Sequence, residues 1–118
     1  MSEYVRKRGS REATVVAAGE GTRVEVLVGA DEGPNFALRR FCMEPGGGMP
    51  LHTNRVEHEQ YILEGSAAVR IGEETYPVAA GDSVLIPGGV PHSYRAGPEG
   101  FAFICVVPNA PDEITILE

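Results

Sequence analysis

His52, His58 and His92 are the only imidazoles in a chain of 118 residues, and all three fall in two segments framed by glycine and proline. Neutral imidazole is a common ligand for divalent transition metals. Side chains alternate between the faces of a strand, so even spacing puts His52, Asn54, His58, Gln60 and Ile62 on one side of an extended segment. Same-face neighbours lie about 6–7 Å apart at Cα. His52 and His58 are more than one such step apart, so the chain has to bend between them before both rings can reach one ion at about 2.0–2.1 Å. His92 must then arrive from another strand, across the mouth of a barrel. The spacing permits this convergence, and it equally permits three ordinary core or surface histidines. Arg39 and Arg40 interrupt an apolar run, and alternation turns one inward and the other outward. Arg39, on the side of Phe41, would anchor a carboxylate substrate, or else sit at a subunit interface or on the sheet surface. Gln60 is the inward member of the Gln60-Tyr61 pair.

The elements that must hold these residues are short strands. Thr22–Val28, Phe36–Met43, Gln60–Leu63, Ala67–Ile71, Thr75–Val78, Ser83–Ile86, His92–Arg95, Phe101–Val107 and Ile114–Leu117 are rich in Val, Ile, Phe and Tyr. Between them stand turn signals such as Pro45-Gly46-Gly47-Gly48, Glu64-Gly65, Gly81-Asp82, Pro87-Gly88-Gly89 and Gly97-Pro98. Even spacing of strands closed by Gly or Pro predicts an all-β sandwich or barrel. The only helix candidate is the extreme N-terminus. The length fits one domain, 1–118, with residues 1–12 as a loosely held charged arm.

Seventeen acidic against ten basic residues leave a formal charge of -7. That argues against nucleic acid, which needs clustered Lys and Arg. The basic run Arg6-Lys7-Arg8 reads as a solvated tail. No apolar run approaches membrane-spanning length, and the N-terminus lacks the apolar stretch of a signal peptide. The expectation is a cytoplasmic protein in which Cys42 and Cys105 are reduced thiols. Gly46-Gly47-Gly48 lacks the Gly-Lys-Ser/Thr ending of a phosphate loop.

The segment from Pro45-Gly46-Gly47-Gly48 through Leu51-His52-Thr53-Asn54 and Glu57-His58-Glu59 to Glu64-Gly65 resembles the first cupin motif. Gly81-Asp82-Ser83-Val84-Leu85-Ile86-Pro87-Gly88-Gly89-Val90-Pro91-His92 resembles the second, up to its histidine. The resemblance implies a cupin double-stranded β-helix, that is, a jelly-roll barrel. Cupins usually supply two histidines and a glutamate from the first motif and a third histidine from the second. Here Asn54 stands at the second histidine position, His58 at the glutamate, and Ala96 at the asparagine that closes the second motif. Ala30-Asp31-Glu32-Gly33-Pro34-Asn35-Phe36 and Glu57-His58-Glu59 are similar to small cupins that hold manganese with four histidines, one of which is Asn54 in this chain. The same resemblance turns Phe103, Cys105 and Val107 into the barrel, with Cys105 either near the metal or simply a buried core thiol.

The implied cofactor is one divalent transition metal, Mn, Fe, Zn, Cu or Ni, held by His52, His58 and His92. Three neutral imidazoles leave its charge unoffset, and at least one coordination position open, as in catalytic sites. Asn54 is either a weak fourth ligand or, the favoured reading, a hydrogen-bond partner of a metal-bound water or substrate. Asn54 and Arg39 are the candidate catalytic side chains, and Gln60, Phe103 and Cys105 the candidate pocket lining. The resemblance to three-histidine cupins implies a metal-dependent, dioxygenase-like oxidoreductase acting on a small organic substrate. The alternatives are a metal-dependent isomerase, lyase or decarboxylase, or a non-catalytic small-molecule-binding cupin. Single-domain cupins commonly dimerise, which implies a homodimer, with Thr22–Val28 as the exchanged or packed strand.

Overall fold

The computed structural model describes residues 4–118 and contains strands but no helix. The helix candidate at the N-terminus falls partly outside the described residues, and residues 4–13 carry no helix. Eight strands run in chain order: β1 (Thr14–Val15), β2 (Glu20–Val28), β3 (Phe36–Asn54), β4 (His58–Ile71), β5 (Glu74–Ala79), β6 (Ser83–Ile86), β7 (His92–Pro108) and β8 (Ile114–Ile116). Every pairing is antiparallel. The order is β1-β2-β3-β7-β4-β5, with β6 also on β4 and β8 also on β3.

Three of these strands are much longer than the sequence suggests. Gln60–Leu63 and Ala67–Ile71 are two parts of β4, and His92–Arg95 and Phe101–Val107 are two parts of β7. β3 likewise runs straight through Pro45-Gly46-Gly47-Gly48. The glycines do interrupt the ladder, but as bulges rather than as ends. Register shifts fall between Met43 and Gly48, between Ile62 and Glu64, and between Gly65 and Ala67. A bulge bends a strand and sharpens its twist, so one strand can serve both walls of a barrel.

Two of the bends require glycine for reasons of space. A Cβ on Gly48 would lie 1.9 Å from the Tyr94 carbonyl oxygen across the β3–β7 ladder. Gly65 has φ +73, and a Cβ there would lie 2.0 Å from the Gly100 carbonyl oxygen. The long strands therefore cross at near backbone contact, which is how β7 can neighbour both β3 and β4.

The core lies inside this curl. Phe103, Ile62, Val69, Ile86 and Cys105 are fully buried. Phe103 sits centrally, 5.2 Å from Phe41, 5.2 Å from Phe101 and 5.4 Å from Tyr94 between ring centroids. Burying a side chain such as Phe103 contributes roughly 1.5–3 kcal/mol, and stacked rings add about 0.5–1.5 kcal/mol per pair. The stack forms the floor on which the histidines stand. At the other end of the chain, Arg6 and Arg11 both donate to Glu32 Oε2, at 2.8 and 2.9 Å, and tie the N-terminal arm to the loop before β3.

Candidate functional site

Burial alternates strictly from His52 to Ile62: His52, Asn54, Val56, His58, Gln60 and Ile62 are buried, and none of the residues between them is. The turn demanded by the spacing is present. β3 ends at Asn54, β4 begins at His58, and residues 55–57 connect them. His92 opens β7 directly opposite His52 in the β3–β7 register. The His52 and His92 rings are 4.2 Å apart, and those of His58 and His92 5.9 Å.

Backbone carbonyls set the orientation of two of the rings. His52 Nδ1 lies 2.7 Å from the Pro50 oxygen and His92 Nδ1 3.0 Å from the Val90 oxygen. A carbonyl only accepts, so each Nδ1 carries a proton, and in the neutral ring Nε2 then keeps the free lone pair. The Nε2 atoms of His58 and His92 are buried without a hydrogen-bond partner. Burial, with the Arg39 guanidinium next in weight and then His92, lowers the His58 pKa to about 4. Burial likewise lowers that of His92 to about 4 against the opposing pull of the Val90 carbonyl. At neutral pH both rings are neutral, which is the state a metal ligand requires. The rings are not closed around a point: among the described residues no group of three or more His, Cys, Asp and Glu side chains has metal-holding geometry.

Asn54 is oriented by a residue that the sequence did not single out. Asp112, in the segment before β8, accepts from Asn54 Nδ2 at 3.1 Å. Its other oxygen accepts from the backbone N–H groups of Arg55, Val56 and Glu113 at 2.8, 3.2 and 2.9 Å. Partial burial opposes ionisation of Asp112, but the N–H donors of Val56 and Arg55 and the Asn54 amide outweigh it and lower its pKa. An ionised carboxylate only accepts, so the Asn54 amide nitrogen must face it. Asn54 Oδ1 is thereby left buried and unpartnered.

These groups share one cavity of about 230 Å³, lined by His52, Asn54, His58, His92, Gln60 and Arg39 with Tyr94, Phe41 and Phe103, and closed by Val24, Val26, Met43, Met49, Val16 and Ile114. Gln60 and Phe103 thus face the cavity, and of the positions left open for Arg39 the structure has it on the cavity wall. Cys105 does not reach the wall. It is completely buried behind Gln60, whose Nε2 is 3.8 Å from its sulfur. Gln60 Nε2 also donates to the Tyr94 hydroxyl at 2.7 Å. Tyr94 escaped the sequence reading, although parity with His92 on one strand marks it. The thioether and valine walls come from β2, from Val16 just before it and from the β3 bend, and carry no sequence signal of their own.

A jelly-roll of bent antiparallel strands with histidines at one mouth is a cupin architecture, and comparison with known proteins agrees. The cupin domain family matches residues 39–107, and the chain belongs to that family. It is 33% identical over 88 residues to quercetin 2,3-dioxygenase of Bacillus subtilis, covering 74% of this chain but 23% of that protein. It is 37% identical over 71 residues to 1-methylthio-D-xylulose 5-phosphate methylsulfurylase of Rhodospirillum rubrum, covering 59% of this chain and 46% of that one. Among solved structures, the polyketide cyclase RemF of Streptomyces resistomycificus superposes with a TM-score of 0.84 at 31% identity, covering 100% of this chain and 88% of that one. Related proteins thus include a dioxygenase, a cyclase and an oxalate decarboxylase. Among the described residues no helix is long and apolar enough to cross a membrane.

Proposed function

We propose that this cupin is a metal-dependent, dioxygenase-like oxidoreductase acting on a small organic substrate, with one divalent ion held by His52, His58 and His92. The observation that carries the metal is the pair of buried, unpartnered Nε2 lone pairs on His58 and His92. A buried polar atom without a partner costs roughly 1–3 kcal/mol, which a bound ion would relieve. The donor set fits such an ion: three imidazoles, two of them held with Nδ1 donating to a backbone carbonyl so that Nε2 is the ligating atom.

A bound redox-active ion would supply electron transfer and polarise a ligated substrate. The chain's own residues do the rest. Asn54 Oδ1 accepts a hydrogen bond beside the ion, Arg39 holds negative charge, and the Phe41–Phe103 wall excludes water. Similarity to quercetin 2,3-dioxygenase supports the redox class. Similarity over the whole chain to a polyketide cyclase favours a second reading, a non-redox metal-dependent reaction on the same scaffold.

Metal analysis of untagged protein separates them. A near-stoichiometric Fe, Mn or Cu content with substrate-dependent oxygen uptake is expected. Turnover with zinc and without oxygen selects the second reading. Protein that neither carries nor takes up any metal sinks both. A cytoplasmic homodimer belongs to the same proposal and is tested by fractionation and by light scattering of the purified chain.

A further inference from the structure

Among the described residues, Arg39 is the only charged one on the cavity wall. Its Nε is buried and unpartnered, and its guanidinium carbon lies 5.3 Å from the centroid of the Phe41 ring. No salt bridge to Arg39 is found among the described residues. Asp112, the carboxylate bonded to Asn54 beside the histidine mouth, is taken up by four N–H donors. A half-buried guanidinium held against an aromatic ring with no acid beside it is a charge without a counter-ion, in a chain whose overall charge is -7. Apart from the histidines, Asn54, Gln60 and Tyr94, the walls are apolar and partly aromatic. At about 230 Å³ the cavity exceeds the apolar cavity of ~150 Å³ that admits benzene. It falls below the roughly 300 Å³ at which drug-sized ligand sites begin.

We infer that the cavity binds a planar, single-ring organic anion, with its negative group on Arg39 and its ring against Phe41 and Phe103. The inference rests on the reading of this cavity as the reaction site, and it specifies the substrate class. A carboxylate or phenolate offers Arg39 the planar acceptor that a guanidinium fork matches. The aromatic floor supplies contact area without polar demand. The anion's far end then faces the histidine Nε2 atoms and Asn54 Oδ1.

The test compares benzoate with the isosteric neutral benzamide, titrated by calorimetry into the full chain before and after chelation. In chelated protein benzoate binds at least tenfold more tightly than benzamide. Arg39→Gln reduces that ratio to near one, and Arg39→Lys retains part of it. Independently of any variant, the Arg39 Nε–H resonance shifts with benzoate and not with benzamide. Equal binding of the two probes, no binding of benzoate at millimolar concentration, or a preference that survives Arg39→Gln overturns the inference. Cobalt(II) titration keeps it separate from the metal reading. Protein that binds cobalt through histidines but does not discriminate benzoate sinks only the anion site. Protein that discriminates benzoate but takes up no cobalt sinks only the metal site.

Discussion

Arg39 and Arg40 are neighbours in β3, yet they occupy opposite electrostatic worlds. On the outer face Arg40 donates to Glu25 at 3.1 Å and Glu64 at 3.3 Å, carboxylates on the two flanking regions of the sheet. On the inner face Arg39 has the Phe41 ring and no carboxylate. The same division runs through the molecule. The outside is acidic and laced with exposed ion pairs, whereas the inside collects neutral imidazoles, amides and one cation. Surface pairs such as Arg40–Glu64 contribute little, since solvent screens them and side-chain ordering opposes them. An unpaired inner cation is costly unless something completes it. The contrast teaches that the inner face is arranged for a guest, and the outer face for solubility.

The largest effect expected on the inner face is at the histidines. His58→Ala should lower metal affinity more than a hundredfold, beyond the roughly 10–100-fold typical of losing a supporting contact. Asn54→Ala should lower it far less, as measured by metal content after dialysis. Equal losses would make Asn54 a true ligand and erase the distinction between the imidazole set and the amide beside it. Next in size is the pH response of chelated protein. His58 and His92 titrate near 6.5 when unfolded but about 4 when folded. Between those values the unfolded chain binds more protons, so stability rises with pH across this window and is lost as pH falls through it. Urea midpoints at pH 7, 5.5 and 4.5 should descend in that order. A flat profile would mean that the rings are already solvated in the folded state.

What the sequence revealed of this arrangement was what depends on local parity. From His52 to Ile62 every second residue is buried, so face assignment followed directly from alternation. The cupin motifs added the partnership of His92 with His52, which no local rule yields. Strand ends were read less well, because Gly65 and Gly48 are turn signals locally but are bulges within continuous ladders. The difference lies in the close approach of β7, a long-range contact invisible along the chain. For Cys105 the resemblance left open a place near the metal or a buried core thiol, because it fixes a direction and not a distance; the sulfur is fully buried, 3.8 Å from Gln60 Nε2. Asp112 was missed for a related reason: its partner Asn54 is 58 positions away, and an exposed-looking acid in a Pro-Asp-Glu segment carries no mark of the clamp it forms.

Asp112→Ala probes the border between the two faces, since its carboxylate reaches inward to Asn54 and holds the 55–57 turn through the backbone. Loss of these bonds should cost about 1–2 kcal/mol, chiefly by leaving Asn54 Nδ2 without its acceptor. The variant should keep its fold while the Asn54 side-chain amide resonances broaden. An unchanged melting temperature together with unchanged amide resonances would show that Asn54 holds its orientation without the clamp.

The smallest effect belongs to the outer face, and it is the control for the whole contrast. Arg40→Ala removes one part-buried and one exposed ion pair and should change stability by about 1 kcal/mol or less. That small loss should shrink further in added salt, because the charges lie in solvent within reach of screening ions. Benzoate discrimination and metal content should match the unaltered protein, since Arg40 points away from the cavity and β3 keeps its inner residues in register through β2 and β7. If Arg40→Ala instead weakened benzoate binding as much as Arg39→Gln, the anion would be responding to net charge rather than to a fixed guanidinium, and the two faces of β3 would be electrostatically one.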